Sequence, residues 1–370
     1  IVLCDWSSDV CSSDLFYQNG GIGRVTSVLA NGLAESGKIK VVTLGYFNPG
    51  KPNIYQLSKN IQQEFLLEKY KSMTTVMLLN GEKKLRVFLE DNDIDVLVAC
   101  GALFFPIAVR ACKTIATKCI CWEHSDPEGT MDHRGQGMAR RYGIKKSDLN
   151  IVLTKRALEV YKEKYRAFNT VQIYNPVDPI IIHSEASYNI FSKKIISVGR
   201  LTYQKNFEAA IKVAEKIFSV YPDWEWDIYG EGEEKEKLVS LVAEKGLTSN
   251  MHFCGQVMDL YSRYKNYSIM VMTSRYEGFP MSLLEGMGNR LPLVSFDVPT
   301  GPDEIIINGE NGHLIQPMNI EEMVKCLLRL MESSELRKEM SNKNKEQVRK
   351  FEEKEIIQKW ECILQGILEK

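Results

Sequence analysis

A chain of 370 residues, 44% of them hydrophobic, has the length of two domains and enough apolar residues to fill two ordinary cores. A net charge of −1 excludes the global positive field that draws in nucleic acid, and no run of about 18 apolar residues offers a membrane span. Nine cysteines, an odd number without a CxxC pair and several within apolar runs, exclude a disulfide framework and read as reduced, buried cytosolic thiols.

At the start, residues 5–15, "DWSSDVCSSDL", match throughout the translation of a common sequencing-adapter end; a genuine Ser/Asp-rich start is the alternative. Residues 1–15 are therefore set aside as an artefact, Cys4 and Cys11 with them, and the first strand of the following domain is expected to be missing. From Phe16 the rhythm is strand, turn, helix. "GRVTSVLANGLAESG" is an amphipathic helix with a Gly at its end, followed by the strand "KIKVVTLGY". "DIDVLVACG", "KCICWEHS" and "LNIVLTK" suit strands of a parallel sheet buried on both faces, with helical segments such as "EKKLRVFLEDN" and "RALEVYKEKYR" between them. "VQIYNPVDP" runs into a Pro-rich break, and the domain boundary is expected there, with domains at 16–178 and 179–350 and a last helical stretch at 351–370. The second half repeats the rhythm with "KKIISVGR", "WEWDIYGEG", "MHFCGQV", "SIMVMTS", "LPLVSFD" and "GHLIQ" as strands and a charge-rich helical end. The expected fold is α/β, two doubly wound domains whose sheets face each other and place a ligand site between the carboxyl ends of their strands.

Several strand ends carry residues with chemistry. "NGGIGRV" opens the first helix, where glycines let a backbone approach an anion; a tight strand-helix turn explains it equally. It is not a dinucleotide fingerprint, because Thr26 stands where a third Gly is needed. "SVGRLTYQKNF" places Arg200 and Lys205 on one loop, suited to a diphosphate leaving group or to solvent. "IYGEGEEKEKL" shapes a turn after another strand, with acidic residues at a helix start. His124 in "CWEHS" ends a first-half strand and offers a hydrogen bond or proton transfer to a substrate, or is a structural histidine. Residues 131–166 hold ten Lys and Arg against four Asp and Glu, a face for anionic lipid or simply for water. Asp91 and Asp93 flank a turn before a strand and do not make a metal site.

The densest signal is "RYEGFPMSLLEGMG", residues 275–288. Glu277 precedes Gly278 on a loop after an apolar strand, and Glu285 lies in the helix that follows. Ser282 to Glu285, "SLLE", reads as a capping box, which explains Glu285 without a ligand. It leaves Glu277 unexplained. A loop carboxylate accepts bonds from sugar hydroxyls, helix N–H groups hold phosphate, and a carboxylate about one turn in binds a vicinal diol. The spacing suits a sugar–diphosphate–nucleoside laid over a helix N-terminus.

With these residues in view, "EGFPMSLLEG" resembles the E-x7-E signature of the retaining glycosyltransferases of family 4, which have the two-domain GT-B fold. "GGIGR", "EHS", "VLTK", "IYNPVDP", "VGRLTYQKNF", "IYGEGEEKEKL", "FCGQV" and "PTGPDEIIINGENGHLI" agree in order and spacing, from about Phe16 to the end. The resemblance implies an acceptor-side first domain, a second domain for the nucleotide-sugar, and a last helix packing back on the first. It implies that Glu277 contacts hydroxyls of the transferred sugar, Glu285 the ribose, and Arg200 and Lys205 the diphosphate. Gly21 and the N–H groups after Gly278, through Phe279, Met281, Ser282 and Leu283, would assist. His124 would touch the donor sugar, and the loop at Gly255 to Val257 would border the base. The implied activity is a metal-independent, cofactor-free hexosyl transfer with retention, from a UDP-sugar to a glycan or lipid-linked acceptor in bacterial surface polysaccharide or lipopolysaccharide synthesis. The implied setting is the cytoplasm, with an anionic membrane surface as a candidate partner and no nucleic acid. The "TGP" form is similar to members acting on bacterial surface polysaccharides; Pro302 and Asp303 depart from many relatives, and Glu304 retains the acidic position. The alternatives are a non-catalytic nucleotide-sugar-binding protein or a GT-B relative such as a phosphorylase or an epimerase.

Overall fold

Short apolar runs alternate with amphipathic helices in both halves, and each half builds its own parallel sheet. A computed structural model describes residues 2–5, 20–47, 50, 53–67, 75–129, 134–182 and 188–369. The chain divides into two compact units, residues 1–176 with 353–370, and residues 177–352.

The first unit runs β1 (Val2–Asp5), α1 (Gly21–Glu35), β2 (Val42–Phe47), β3 (Gln62–Leu67), α2 (Thr75–Asp91), β4 (Val96–Cys100), α3 (Phe105–Cys112), β5 (Lys118–Trp122), α4 (Arg134–Ile144), β6 (Leu149–Val152), α5 (Lys155–Glu163) and β7 (Thr170–Gln172). Its strands order as β3-β2-β1-β4-β5-β6-β7. The "VLVAC" run of β4 is buried at all its positions, as a strand covered on both faces requires. A strand stands where one was expected to be missing, built from residues 2–5: Val2 pairs with Val42 on one side and with Leu97 on the other. "VLC" is a short apolar run suited to a central strand, and it is lost from the reading when residues 1–15 are set aside. Residues 6–15, the rest of the adapter match, lie outside the described residues. A last helix, α14 (Glu353–Leu368), belongs to this unit. Trp360 meets Trp122 edge-on at 5.0 Å, and Lys38 pairs with Glu361 at 2.9 Å. Gly32 lets the helices close, since a Cβ there would lie 2.7 Å from Ile357.

The second unit runs α6 (Pro179–Ile182), β8 (Lys194–Val198), α7 (Phe207–Phe218), β9 (Glu225–Tyr229), α8 (Lys235–Glu244), β10 (Met251–Gly255), α9 (Leu260–Arg263), β11 (Ile269–Met272), α10 (Met281–Gly288), β12 (Leu293–Phe296), α11 (Pro302–Ile305), β13 (Gly312–Ile315), α12 (Ile320–Glu332) and α13 (Ser334–Gln347). Its sheet orders as β10-β9-β8-β11-β12-β13. The core gathers Ile195, Trp226, Ile228, Val294 and Phe296 from strands with Ile211, Ile217, Leu327 and Leu330 from helices. The strand order reverses between β8 and β11, and such a switch point opens a crevice at the strands' carboxyl ends. The turns after β8, β9 and β10 are zipped there by backbone bonds from Gly199 to Tyr229, Gly230 to Gly255 and Leu201 to Glu231. Gly230 sits at φ +146°, and a Cβ on it would lie 1.9 Å from the Gly199 carbonyl. The glycine of "IYGEG" is thus required by loop-on-loop contact.

Candidate active site

Because β8 and β11 are neighbours in one parallel sheet, the loops leaving their carboxyl ends lie side by side. That placement brings together two residues 72 apart in sequence. Lys205 Nζ donates to Glu277 Oε1 at 2.6 Å, with side chains 16% and 7% exposed. Glu277 is further held through its backbone, whose carbonyl accepts the buried Thr300 hydroxyl. Gly301 follows at φ +99°, where a Cβ would lie 2.4 Å from Pro280. The "PTGP" segment therefore presses against the Glu277 loop. Phe279 is buried and meets Phe351 at 5.9 Å, while Gly278 is half-buried.

The capping box is not formed. α10 begins at Met281 with Pro280 as its N-cap, so Ser282 lies inside the first turn, and its buried hydroxyl has no partner. The carboxylate of Glu285 instead accepts from Tyr264 at 2.8 Å and Tyr261 at 3.3 Å. Tyr264 is fully buried, so one side of Glu285 is fixed by a rigid partner. Leu283 is buried as well, which leaves its N–H rather than its side chain for a ligand. The N-terminal N–H groups of α10 face the side where an anion is favoured. Arg200 is exposed at the carboxyl end of β8, five residues before Lys205, and Val257 is half-buried after β10. Tyr261, Tyr264 and Thr300 escape sequence reasoning, because hydroxyls contacting a carboxylate or a carbonyl follow no local pattern.

In the first unit, Gly21 is the exposed first residue of α1. The helix N-cap, Gly20, is extended and held by Tyr55, whose hydroxyl accepts from Gly20 N at 2.8 Å and donates to Gly20 O at 3.0 Å. The Arg24 guanidinium lies over the same ring at 4.9 Å. The His124 ring lies tilted against Trp122, with centroids 4.2 Å apart, and both its ring nitrogens are buried without a partner. Burial pushes its imidazole down to about 4, with the Glu123 carboxylate opposing. The ring is neutral at pH 7, so it offers one donor and one acceptor and is poorly suited to protonate a leaving group.

Beside it, Glu123 accepts from Arg140 Nε at 2.6 Å, from Tyr161 at 3.1 Å and from Ser125 N at 3.0 Å. Burial would raise this carboxyl, but the Arg140 charge and bonds hold it below its ordinary value. Arg140 is 1% exposed, which corrects its place in a solvated or lipid-facing basic segment. From the same segment Arg156 and Lys164 pair with Glu128. Among the described residues no helix is long and apolar enough to cross a membrane.

Among the described residues, Glu225, Asp227 and His252 bring three potential metal donors within 4.8 Å of one another. Glu225 already pairs with Lys194 at 2.6 Å and Asp227 with the Tyr267 hydroxyl at 2.7 Å. Glu225 is the first residue of β9, at the opposite end of that strand from the carboxyl-end loops.

Residues 185–347 match the family model described as glycosyl transferases group 1. An uncharacterized glycosyltransferase of Haemophilus influenzae is 30% identical over 352 residues, covering 93% of this chain and 96% of that protein. The amylovoran biosynthesis glycosyltransferase AmsD of Erwinia amylovora is 26% identical over 354 residues, covering 94% and 96%. The crystal structure of S. aureus TarM with fondaparinux, alpha-GlcNAc-glycerol and UDP superposes with a TM-score of 0.70 at 25% identity. That match covers 76% of this chain and 58% of TarM. Two parallel sheets in doubly wound order, matched over nearly the whole chain to a glycosyltransferase, place this α/β protein in the GT-B class: it belongs to the glycosyl transferases group 1 family.

Proposed function

We propose that this glycosyltransferase is a retaining, metal-independent family 4 enzyme that moves a sugar from a UDP-sugar to a hydroxyl of a glycan or lipid-linked acceptor in bacterial surface polysaccharide synthesis. The observation that carries the reading is the Lys205–Glu277 pair at the β8/β11 switch point, with Glu285 in the helix beyond. An ammonium has three N–H donors, and the bond to Glu277 uses one, so Lys205 can hold a phosphate oxygen without releasing Glu277. Arg200 adds a second cation for the diphosphate, and the α10 N-terminus adds backbone N–H groups.

In the reaction the acceptor oxygen bonds to the anomeric carbon as the bond from that carbon to the diphosphate oxygen breaks. The electron pair leaves with the diphosphate, where Lys205 and Arg200 offset its charge. The acceptor approaches on the leaving group's face, and its proton passes to a departing phosphate oxygen. Glu277 orients the sugar through its hydroxyls, and Glu285 takes the ribose diol. Two relatives support this direction: AmsD is named for amylovoran biosynthesis, and TarM was crystallised with UDP and alpha-GlcNAc-glycerol.

A screen of UDP-, GDP- and ADP-sugars with glycan and lipid-diphosphate acceptors tests it, with the product's anomeric configuration read by NMR. The expected result is UDP release and a retained configuration without added divalent metal. Inversion, or turnover that EDTA abolishes, would overturn the mechanism, and turnover with another nucleotide alone would overturn the donor.

A further inference from the structure

A residue two positions ahead of the E-x7-E stretch forms a bridge that the proposed chemistry has not used. Arg275, two residues before Glu277, turns its guanidinium back onto the Lys205 loop. Its Nε donates to the Tyr203 carbonyl at 3.2 Å and its Nη2 to Asn206 Oδ1 at 2.7 Å. The guanidinium lies 4.3 Å over the Tyr203 ring, and its backbone N–H donates to the Gln204 carbonyl at 2.8 Å. Two further bonds run between the same loops: Gln204 Nε2 to the Tyr276 carbonyl at 3.0 Å, and the Thr273 hydroxyl to the Lys205 carbonyl at 3.1 Å. Asn206, which receives the guanidinium, is held at φ +53°, a left-handed conformation that is costly without support.

Apart from Nη1, which reaches Met318 Sδ at 3.9 Å, these contacts of Arg275 fall on Tyr203, Gln204 and Asn206, the residues that flank Lys205 on both sides. A guanidinium delivers its donors in a rigid fork, whereas an ammonium is a point charge that cannot meet a carbonyl and an amide oxygen in that geometry. Lys205 itself is a long chain with many rotamers, and its backbone must be fixed before its ammonium can be. From this bridge we propose that Arg275 is a positioning residue, setting Lys205 against Glu277 and hence against the donor diphosphate. The inference rests on the nucleotide-sugar reading of that site, but its structural part can be tested without a donor.

The decisive experiment is a double-mutant cycle. Arg275→Ala is expected to lower kcat about 10²-fold, the cost of displacing a group in a reacting site by about 1 Å. In a Lys205→Ala background the same change is expected to cost less than about 3-fold, because the residue it positions is gone. Arg275→Lys keeps the charge and loses the fork, and is expected to stay within about 3-fold of Arg275→Ala. Equal losses in both backgrounds, or recovery by Arg275→Lys, would overturn the proposal. Amide hydrogen exchange carries the structural part alone: Arg275→Ala should raise exchange at residues 203–206 at least about 10-fold and leave residues 225–229 unchanged. Unchanged exchange at 203–206 would overturn the bridge even if the enzyme is active. Absence of turnover by the wild type with every donor, beside the expected exchange change, would count against the nucleotide-sugar reading and leave the bridge standing. If Arg275→Ala does not fold, Arg275→Gln, which keeps one amide donor group, enters the same measurements.

Discussion

Two buried ion pairs of the same length do different work. Glu123–Arg140 and Lys205–Glu277 are both 2.6 Å apart. The first is sealed: both side chains are 1% exposed, and Tyr161 and Ser125 N add bonds to the carboxylate. The second lies at the sheet's switch point, its lysine 16% exposed and with one N–H donor on Glu277. Length and charge do not separate the two; exposure and place in the sheet do. A sealed pair fixes a fold, and a pair with spare donors at a strand end can take a ligand.

The largest expected effect breaks the sealed pair. Arg140→Ala leaves a buried carboxylate unpaired and is expected to cost about 3–5 kcal/mol, read by urea unfolding. Glu277→Gln keeps a hydrogen-bonding side chain in a more open site and should cost clearly less. If the two variants lose equal stability, the distinction fails. The pH dependence sharpens it next. With its folded value near 4 and an unfolded value of about 6.5, His124 binds fewer protons in the folded state. Stability is therefore complete above about pH 6.5 and falls as the pH drops toward 4, by up to ~3 kcal/mol. Replacing it in His124→Asn should flatten the curve in that window relative to wild type, and an unchanged slope would contradict a buried neutral imidazole. A smaller effect lies at Glu285, the proposed ribose contact. Tyr264→Phe removes one hydroxyl from the Glu285 carboxylate and is expected to weaken UDP binding by about 1–2 kcal/mol, read by calorimetry.

Legibility follows the same division. Strands such as "VLVAC" and "SIMVMTS" are readable because a strand buried on both faces is a continuous apolar run. β3 is not, since "QQEFLL" lies at the sheet's edge, carries three polar residues and is mostly part-exposed. The helix α4 was hidden by its glycines and charges, and its Arg140 passed for a surface cation because Glu123 lies 17 residues away. The SLLE pattern suggested a cap, but the extended Pro280 moved the helix start ahead of Ser282. Lys205 and Glu277 were each marked by their motifs; their contact follows from β8 lying next to β11, which spacing alone does not reveal. Thr300 and the Nε of Arg275 act on backbone carbonyls, and any sequence supplies those.

The most direct test of the account is nucleoside diphosphate release from a UDP-sugar by the wild type, Lys205→Ala and Glu277→Gln, with melting temperatures measured on the same samples. The account predicts UDP release by the wild type and losses of about 10²–10³-fold in both variants while both remain folded. Release at the wild-type rate by either folded variant would contradict it.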